Sequence, residues 1–341
     1  MDILEFDEGR SGEWDEFVKS CPYATPFDSW AWRRALSTKF PGMRPIYLGV
    51  ESGDELLGAM PLFIFRPLPF FKSALSLPWN LFGGPLLKGE VIRDETAIGF
   101  ALRAMEGRAR EEGAYELTIT RPPLSPPAIK SALERWADSK TVRFTHLLKL
   151  DPDFERIWRA YNPRVRTAVR KAIRSGVEAV VTDSEEKLRE FYGIYLRLME
   201  KFGSPPKPFK LLREVQRSEI GGFIVAELKG KVIAGLLYLV FGRTITLWCG
   251  ASLEEFRSYR PNNLIFNEVI RWGCQNGYEW VDFGASPPGR IGLVKFKEEW
   301  GAVRYEFEIY SKTFLPNRRA LWDELEPKLK GIYSKLSSLL G

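Results

Sequence analysis

Cys249–Ala302 reads CGASLEEFRSYRPNNLIFNEVIRWGCQNGYEWVDFGASPPGRIGLVKFKEEWGA. A strand ending near Cys249 is followed by a basic, Pro- and Asn-rich loop around Arg257–Asn263. An amphipathic helix comes next, with Leu264, Ile265, Val269 and Trp272 on one side. A Gly-Tyr turn leads to a short strand, Trp280–Phe283, and a glycine-punctuated loop then carries Phe296 and Lys297. A strand, a cationic loop at a helix start and a return strand make a binding cleft, because helix amides and cationic side chains converge there.

Working outward, 341 residues suit two domains of ordinary size. An apolar fraction of 45% with 13% aromatics is enough for packed interiors. No stretch approaches the ~20 apolar residues that span a bilayer, and the acidic, amphipathic N-terminus does not read as a signal peptide. Cys21, Cys249 and Cys274 are scattered and odd in number. They give neither a disulfide framework nor a zinc spacing, so a reducing cytoplasm and no metal are expected. A net charge of +6 suits an anionic partner, although mild basicity alone does not require one. The single histidine, His146, lies in the strand-like run VRFTHLLKL. A catalytic triad or multi-His metal site is therefore not expected.

The chain order repeats. IYLGVESGDELLGAMPLFIF is a hairpin joined by Ser-Gly-Asp, and FIVAELKGKVIAGLLYLVF is strand, tight turn, strand again. FALRAMEGRAREEGAYELTI matches NLIFNEVIRWGCQNGYEWVDF in helix, glycine and strand, with Gly113 opposite Gly277. Two copies of one mixed α/β plan follow. Further helices are expected at 94–112, 127–137, 185–202 and 208–217, and an amphipathic tail at 316–339. Near the N-terminus, Asp28 and Ser29 are candidate caps for a helix Trp30–Thr38. Its Trp32, Arg33 and Arg34 suit either a half-buried amphipathic face or a wall of a ligand site.

Between the copies lies NPRVRTAVRKAIRSGVE. Val165, Val169, Ala172 and Ile173 form an apolar stripe, and Arg166, Arg170 and Arg174 recur every four residues on an adjoining face. Like charges at that spacing repel unless neutralised. Phosphates would do this through guanidinium forks; carboxylates elsewhere in the fold would do it equally.

Taken together, NPRVRTAVRKAIRSGV, YRPNNLIFNEVIRWGCQNGYEWVDFGAS and GLVKFKEEWGA resemble the Fem-type branch of the GNAT acyltransferases. These are tandem-GNAT proteins related to the aminoacyl-tRNA-dependent ligases of peptidoglycan cross-bridges. The resemblance is clearest over 160–310; the first half agrees in element order and in PFDSWAW. It implies an α/β fold of two GNAT-like domains in tandem, each a mixed, mostly antiparallel sheet flanked by helices. The implied division is 1–155, 156–312 and a C-terminal helix 313–341 that packs back on the first domain. It also implies transfer of an acyl or aminoacyl group from an activated ester or thioester to an amine. In that family a Phe-Lys pair lines the reaction channel, here Phe296 and Lys297. The lysine is implicated in stabilising charge near the acyl carbonyl. The loop Arg257–Asn263 lacks the glycines that cradle CoA pyrophosphate in other GNATs. Also missing is the helical-hairpin insertion of some tRNA-dependent members.

Candidate catalytic residues are thus Lys297, Phe296 and Asp282, the last able to receive or orient the acceptor's proton or to be a buried structural carboxylate. Candidate phosphate- and substrate-binding residues are Arg166, Arg170, Arg174, Arg257, Tyr259, Arg260, Trp32, Arg33 and Arg34, with Asn263 a candidate helix cap. The expected donor is an aminoacyl-tRNA, alternatively acyl-CoA or an acyl carrier protein, with no tightly bound cofactor. An anionic, cell-wall-precursor-like acceptor is the expected partner, along with tRNA and a peripheral contact to an anionic membrane. A non-catalytic module that binds RNA or an anionic surface is the alternative from another class.

Overall fold

The computed structural model describes residues 1–39, 42–53, 55–287 and 289–339, so Asp54 of the first hairpin turn and the last two tail residues lie outside the described residues. Packing groups the chain into one unit of Met1–Arg143 with Glu306–Lys328 and another of Phe144–Tyr305 with Leu329–Gly341.

The first unit contains β1 (Asp2–Glu5), α1 (Ser11–Ser20), α2 (Trp30–Lys39), β2 (Met43–Ser52), β3 (Glu55–Leu68), β4 (Phe71–Leu75) and β5 (Leu86–Leu87). It continues with α3 (Glu95–Glu111), β6 (Glu116–Thr120) and α4 (Pro127–Trp136). Strands β1, β2, β3 and β4 form an antiparallel meander. After the α3 crossover, β6 joins β4 in parallel. The strand β7 (Ser139–Lys149) passes into the second unit.

There the order is α5 (Phe154–Ala160), α6 (Pro163–Arg174), β8 (Val177–Val181), α7 (Glu185–Lys201), α8 (Phe209–Arg217), β9 (Gly221–Leu228), β10 (Lys231–Phe241) and β11 (Thr244–Ser252). Next come α9 (Pro261–Gln275), β12 (Trp280–Asp282), α10 (Ile291–Glu298), β13 (Val303–Thr313) and α11 (Pro316–Leu339). Strands β8 to β11 form the second antiparallel meander. Crossing over through α9, β12 joins β11 in parallel and β7 pairs antiparallel to β12. The expected duplication is present: each unit has a meander, a crossover helix and a parallel strand. Gly113 (φ +74°) and Gly277 (φ +76°) follow the two crossover helices, in a backbone conformation that favours glycine. From Glu306 onward β13 belongs to the first unit, where it pairs with β6. In that unit Trp322 of α11 packs on Phe71 at 5.3 Å between ring centroids.

Local signals explain the helices of the second unit. Asn162 caps α6 and Ser184 caps α7 through their side-chain oxygens. Val165, Val169 and Ala172 of α6 pack with Leu264, Ile265 and Val269 of α9 on one face of the sheet. Leu188 and Phe191 of α7 with Leu212 of α8 cover the other. Ile173, expected in the α6 stripe, is 57% exposed instead. It neighbours Ala172 around the helix, and the stripe is only wide enough for the i, i+4, i+7 positions.

Candidate active site

The second unit contains a cleft of about 680 Å³. The N-terminal turns of α6 and α9 flank it, and Phe296 and Glu299 of the α10 segment close one side. Four cations line it: Arg164 and Lys171 from α6, Arg257 from the turn before α9, and Arg260 at the α9 start. The carboxylates recorded beside them are few. Glu299 lies 3.8 Å from Arg164, and Glu254 lies 3.1 Å from Arg257. Positive helix ends and cations on opposite walls suit an anion with more than one charged group.

Arg260 precedes α9 in the left-handed region (φ 62°, ψ 39°), a conformation costing a non-glycine residue about 1–2 kcal/mol. Pro261 follows at the first helical position, and no side chain caps the helix. Asn263 is therefore not the cap expected of it. It lies inside the first turn, where its own N–H bonds back to the Arg260 carbonyl. Asn262 reaches Ser252 instead.

Phe296 and Lys297 sit on helix α10, a correction to the loop expected from the glycines around them. Packing overrides local propensity here: Phe296 meets Phe266 at 5.6 Å and Trp300 at 6.1 Å, and Trp300 is fully buried. Phe296 faces the cleft. Lys297, one residue on, is only 4% exposed, and its Nζ donates to the carbonyls of Gly284 (2.6 Å) and Ala285 (3.2 Å). An ammonium has three donors, so one hydrogen is not taken by these two bonds. Burial pushes the Lys297 amine down to about 8, opposed by the charge of Asp282. At neutral pH it remains largely protonated.

Asp282 is buried at the end of β12. Its Oδ1 accepts from Thr145 Oγ1 at 2.5 Å and from the Gly284 N–H at 2.8 Å. Burial raises its carboxyl above the ordinary value; those two bonds and the Lys297 charge act the other way. His146 is buried on β7, with Nε2 3.8 Å from Glu298. Burial and the Lys297 charge hold its imidazole below the usual range.

Neither Lys297 nor Asp282 is among the residues lining the cleft; of the catalytic candidates Phe296 alone is. The remaining sequence candidates fall elsewhere. Arg166, Arg170 and Arg174 are not among the residues lining the cleft, although they share a helix with Arg164 and Lys171. Arg166 donates to the Arg159 carbonyl, and Arg170 lies over the Trp158 ring. Tyr259 packs against Phe256 at 5.9 Å and is likewise absent from the lining. In the first unit Trp32 is fully buried against Phe27, Arg33 stacks 4.2 Å over Trp30, and Arg34 pairs with Glu8. These contacts fit the half-buried amphipathic face for α2. Among the described residues no cluster of His, Cys, Asp and Glu could hold a metal, and no helix is long and apolar enough to cross a membrane. Residues that the sequence reading did not single out for the site are Arg164, Lys171, Thr145 and Gly284.

A family model described as an acetyltransferase (GNAT) domain matches residues 162–297, the segment holding the cleft and the lysine. The UDP-N-acetylmuramoylpentapeptide-lysine N(6)-alanyltransferase of Weissella viridescens is 24% identical over 303 residues, spanning 83% of this chain and 87% of its own. The crystal structure of FemX superposes with a TM-score of 0.76 at 16% identity, over 96% of this chain and 100% of that one. A tandem GNAT protein from the clavulanic acid biosynthesis pathway gives a TM-score of 0.58 at 14% identity, over 92% of this chain and 98% of its own. At such identities the structural likenesses establish the fold.

Proposed function

We propose that the chain, which resembles the Fem-type tandem-GNAT acyltransferases, moves an aminoacyl group from the ester of an aminoacyl-tRNA to an amine of a phosphate-bearing acceptor. The Weissella viridescens relative acts by name on a UDP-N-acetylmuramoylpentapeptide lysine, so an acceptor of that kind is the first choice.

One observation carries this reading: a cleft lined by four cations opens beside Phe296, and a buried lysine occupies the next position of the same helix. Phosphates at the donor's terminal nucleotides suit Arg164, Lys171, Arg257 and Arg260. The ester carbonyl would then reach past Phe296 toward Lys297. The acceptor amine attacks the carbonyl carbon and the oxygen becomes an oxyanion, which the remaining Nζ hydrogen can meet. Collapse breaks the bond to the ribose oxygen, which leaves with a proton as the nitrogen gives one up. An amine attacking an activated ester needs little beyond positioning and charge stabilisation.

The same cleft suits a pyrophosphate, which keeps acyl-CoA as the second donor class. Incubating the protein and UDP-N-acetylmuramoylpentapeptide with panels of aminoacyl-tRNAs and acyl-CoAs, and weighing the peptide, separates the two. One aminoacyl residue gained from a charged tRNA is the expected product. A gain from acyl-CoA alone, or none from any donor, would overturn the reading.

A further inference from the structure

The turn that holds Lys297 is itself held. β12 ends at Asp282, paired across to Leu147 of β7, and the chain leaves through Phe283, whose N–H donates to the His146 carbonyl at 2.9 Å. Gly284 then takes φ +74°, where a side chain would be strained. Both of its backbone polar groups are held: the N–H donates to Asp282 Oδ1 and the carbonyl accepts from Lys297 Nζ. Thr145, fully buried on β7, donates to the same Oδ1 from 137 positions away in sequence.

We propose that Asp282 is a positioning residue. With Thr145 and Gly284 it clamps the turn whose carbonyls aim the Lys297 ammonium, and it supplies the negative charge that keeps that ammonium charged out of water. This rests on the reading of Lys297 given above. Both recorded hydrogen bonds of Asp282 fall on Oδ1 and are spent inside the protein, on Thr145 and Gly284.

The alternative is a carboxylate that merely shapes a turn, and asparagine separates the two. Asp282→Asn keeps an oxygen for the Gly284 N–H and deletes the charge. The charged or titratable groups facing the lysine's surroundings are Asp282 on β12, His146 on β7, Glu298 on α10 and Arg304 at the start of β13. Burial already pushes Lys297 down to about 8 against the opposing pull of Asp282. Removing that pull must lower it further, so the lysine would lose its proton at a lower pH than in the parent.

The test is a pH titration of the full chain labelled with 13Cε-lysine, without substrate, with the Lys297 signal assigned by its loss in Lys297→Arg. The Lys297 midpoint is expected near 8 in the parent and at lower pH in Asp282→Asn. Thr145→Val, which removes one bond stabilising the carboxylate, should move it the same way by less, and Thr145→Ser should restore it. Midpoints that coincide in parent and Asp282→Asn overturn the clamp. Should Asp282→Asn fail to fold, an unmoved midpoint in Thr145→Val does so. The pH–rate profile reads the function separately. If the ammonium form is the active one, turnover falls as pH rises through the Lys297 midpoint, and Asp282→Asn moves that fall to lower pH. A midpoint that moves under an unmoved rate profile leaves the clamp standing and removes the catalytic reading of Lys297.

Discussion

Among the described residues each unit buries one cation, Arg121 in the first and Lys297 in the second, and the two are held in different ways. Arg121 of the first unit meets Glu308 at 2.5 Å, Ser125 Oγ at 2.8 Å and the Pro122 carbonyl at 3.1 Å, and Lys130 takes the other oxygen of Glu308 at 3.0 Å. Burial alone would raise the Glu308 carboxyl, but the bonds from Arg121 and Lys130 overcome it and hold it below the ordinary value. Lys297 of the second unit has no carboxylate within ion-pair distance among the described residues, only two carbonyls and the through-space charge of Asp282. A buried cation paired with a carboxylate is architecture; one held by carbonyls alone keeps its charge available to a ligand, at a cost in stability. The two arrangements differ in whether a carboxylate meets the cation, although both side chains are almost fully buried.

Breaking the closed pair should produce the largest change. Arg121→Ala strands Glu308 with a half-exposed Lys130 and is expected to cost about 3–5 kcal/mol of stability, read by urea unfolding. Turnover per folded molecule should stay near that of the parent. A loss of turnover exceeding the loss of folded protein would mean that the first unit's buried cation also serves the reaction.

Lys297→Ala should show the inverse pattern. Losing one donor to an oxyanion costs about 2.7–4 kcal/mol of barrier, roughly 10²–10³ in kcat. Removing a buried ammonium that lacks a close carboxylate should leave the unfolding midpoint little changed or higher. Lys295, exposed on the same helix, is the control, and its alanine variant should turn over at the parent rate. Equal turnover in the Lys297 and Lys295 variants would erase the contrast between the two cations.

What the sequence discloses about these arrangements follows from the range of the interactions. Helices 185–201 and 209–217 were expected within a residue of where they lie, because their limits are set by near neighbours: Ser184 as cap, and prolines before the second. The duplicated plan was legible for the same reason, since glycines and alternation mark hairpins locally. Helix α10 was not legible. Its glycines argue for a loop, and the Phe266 and Trp300 rings that stabilise it come from elsewhere in the fold. Lys297 could be picked out by resemblance, but the Asp282–Thr145 bond could not, because nothing near Asp282 in sequence announces a partner 137 residues distant.

The cations of α6 carry the finest version of the comparison, since one helix presents two basic faces. The apolar stripe Val165, Val169 and Ala172 fixes which residues are buried, but basic residues flank it on both sides. Repeat spacing favoured Arg166, Arg170 and Arg174, whereas Arg164 and Lys171 line the cleft. Charge-assisted hydrogen bonds contribute about 1.5–3 kcal/mol each, so Lys171→Ala or Arg260→Ala should raise the donor's KM by roughly tenfold or more. Arg170→Ala and Arg174→Ala act only through a screened field, since exposed charges farther than ~8 Å are largely masked at physiological salt. Their KM should change less than about threefold, and raising salt should shrink even that. A loss at Arg170 or Arg174 equal to that at Arg260 would mean that the donor's phosphates run along the outer face of α6. The cleft would then be the smaller part of its binding surface.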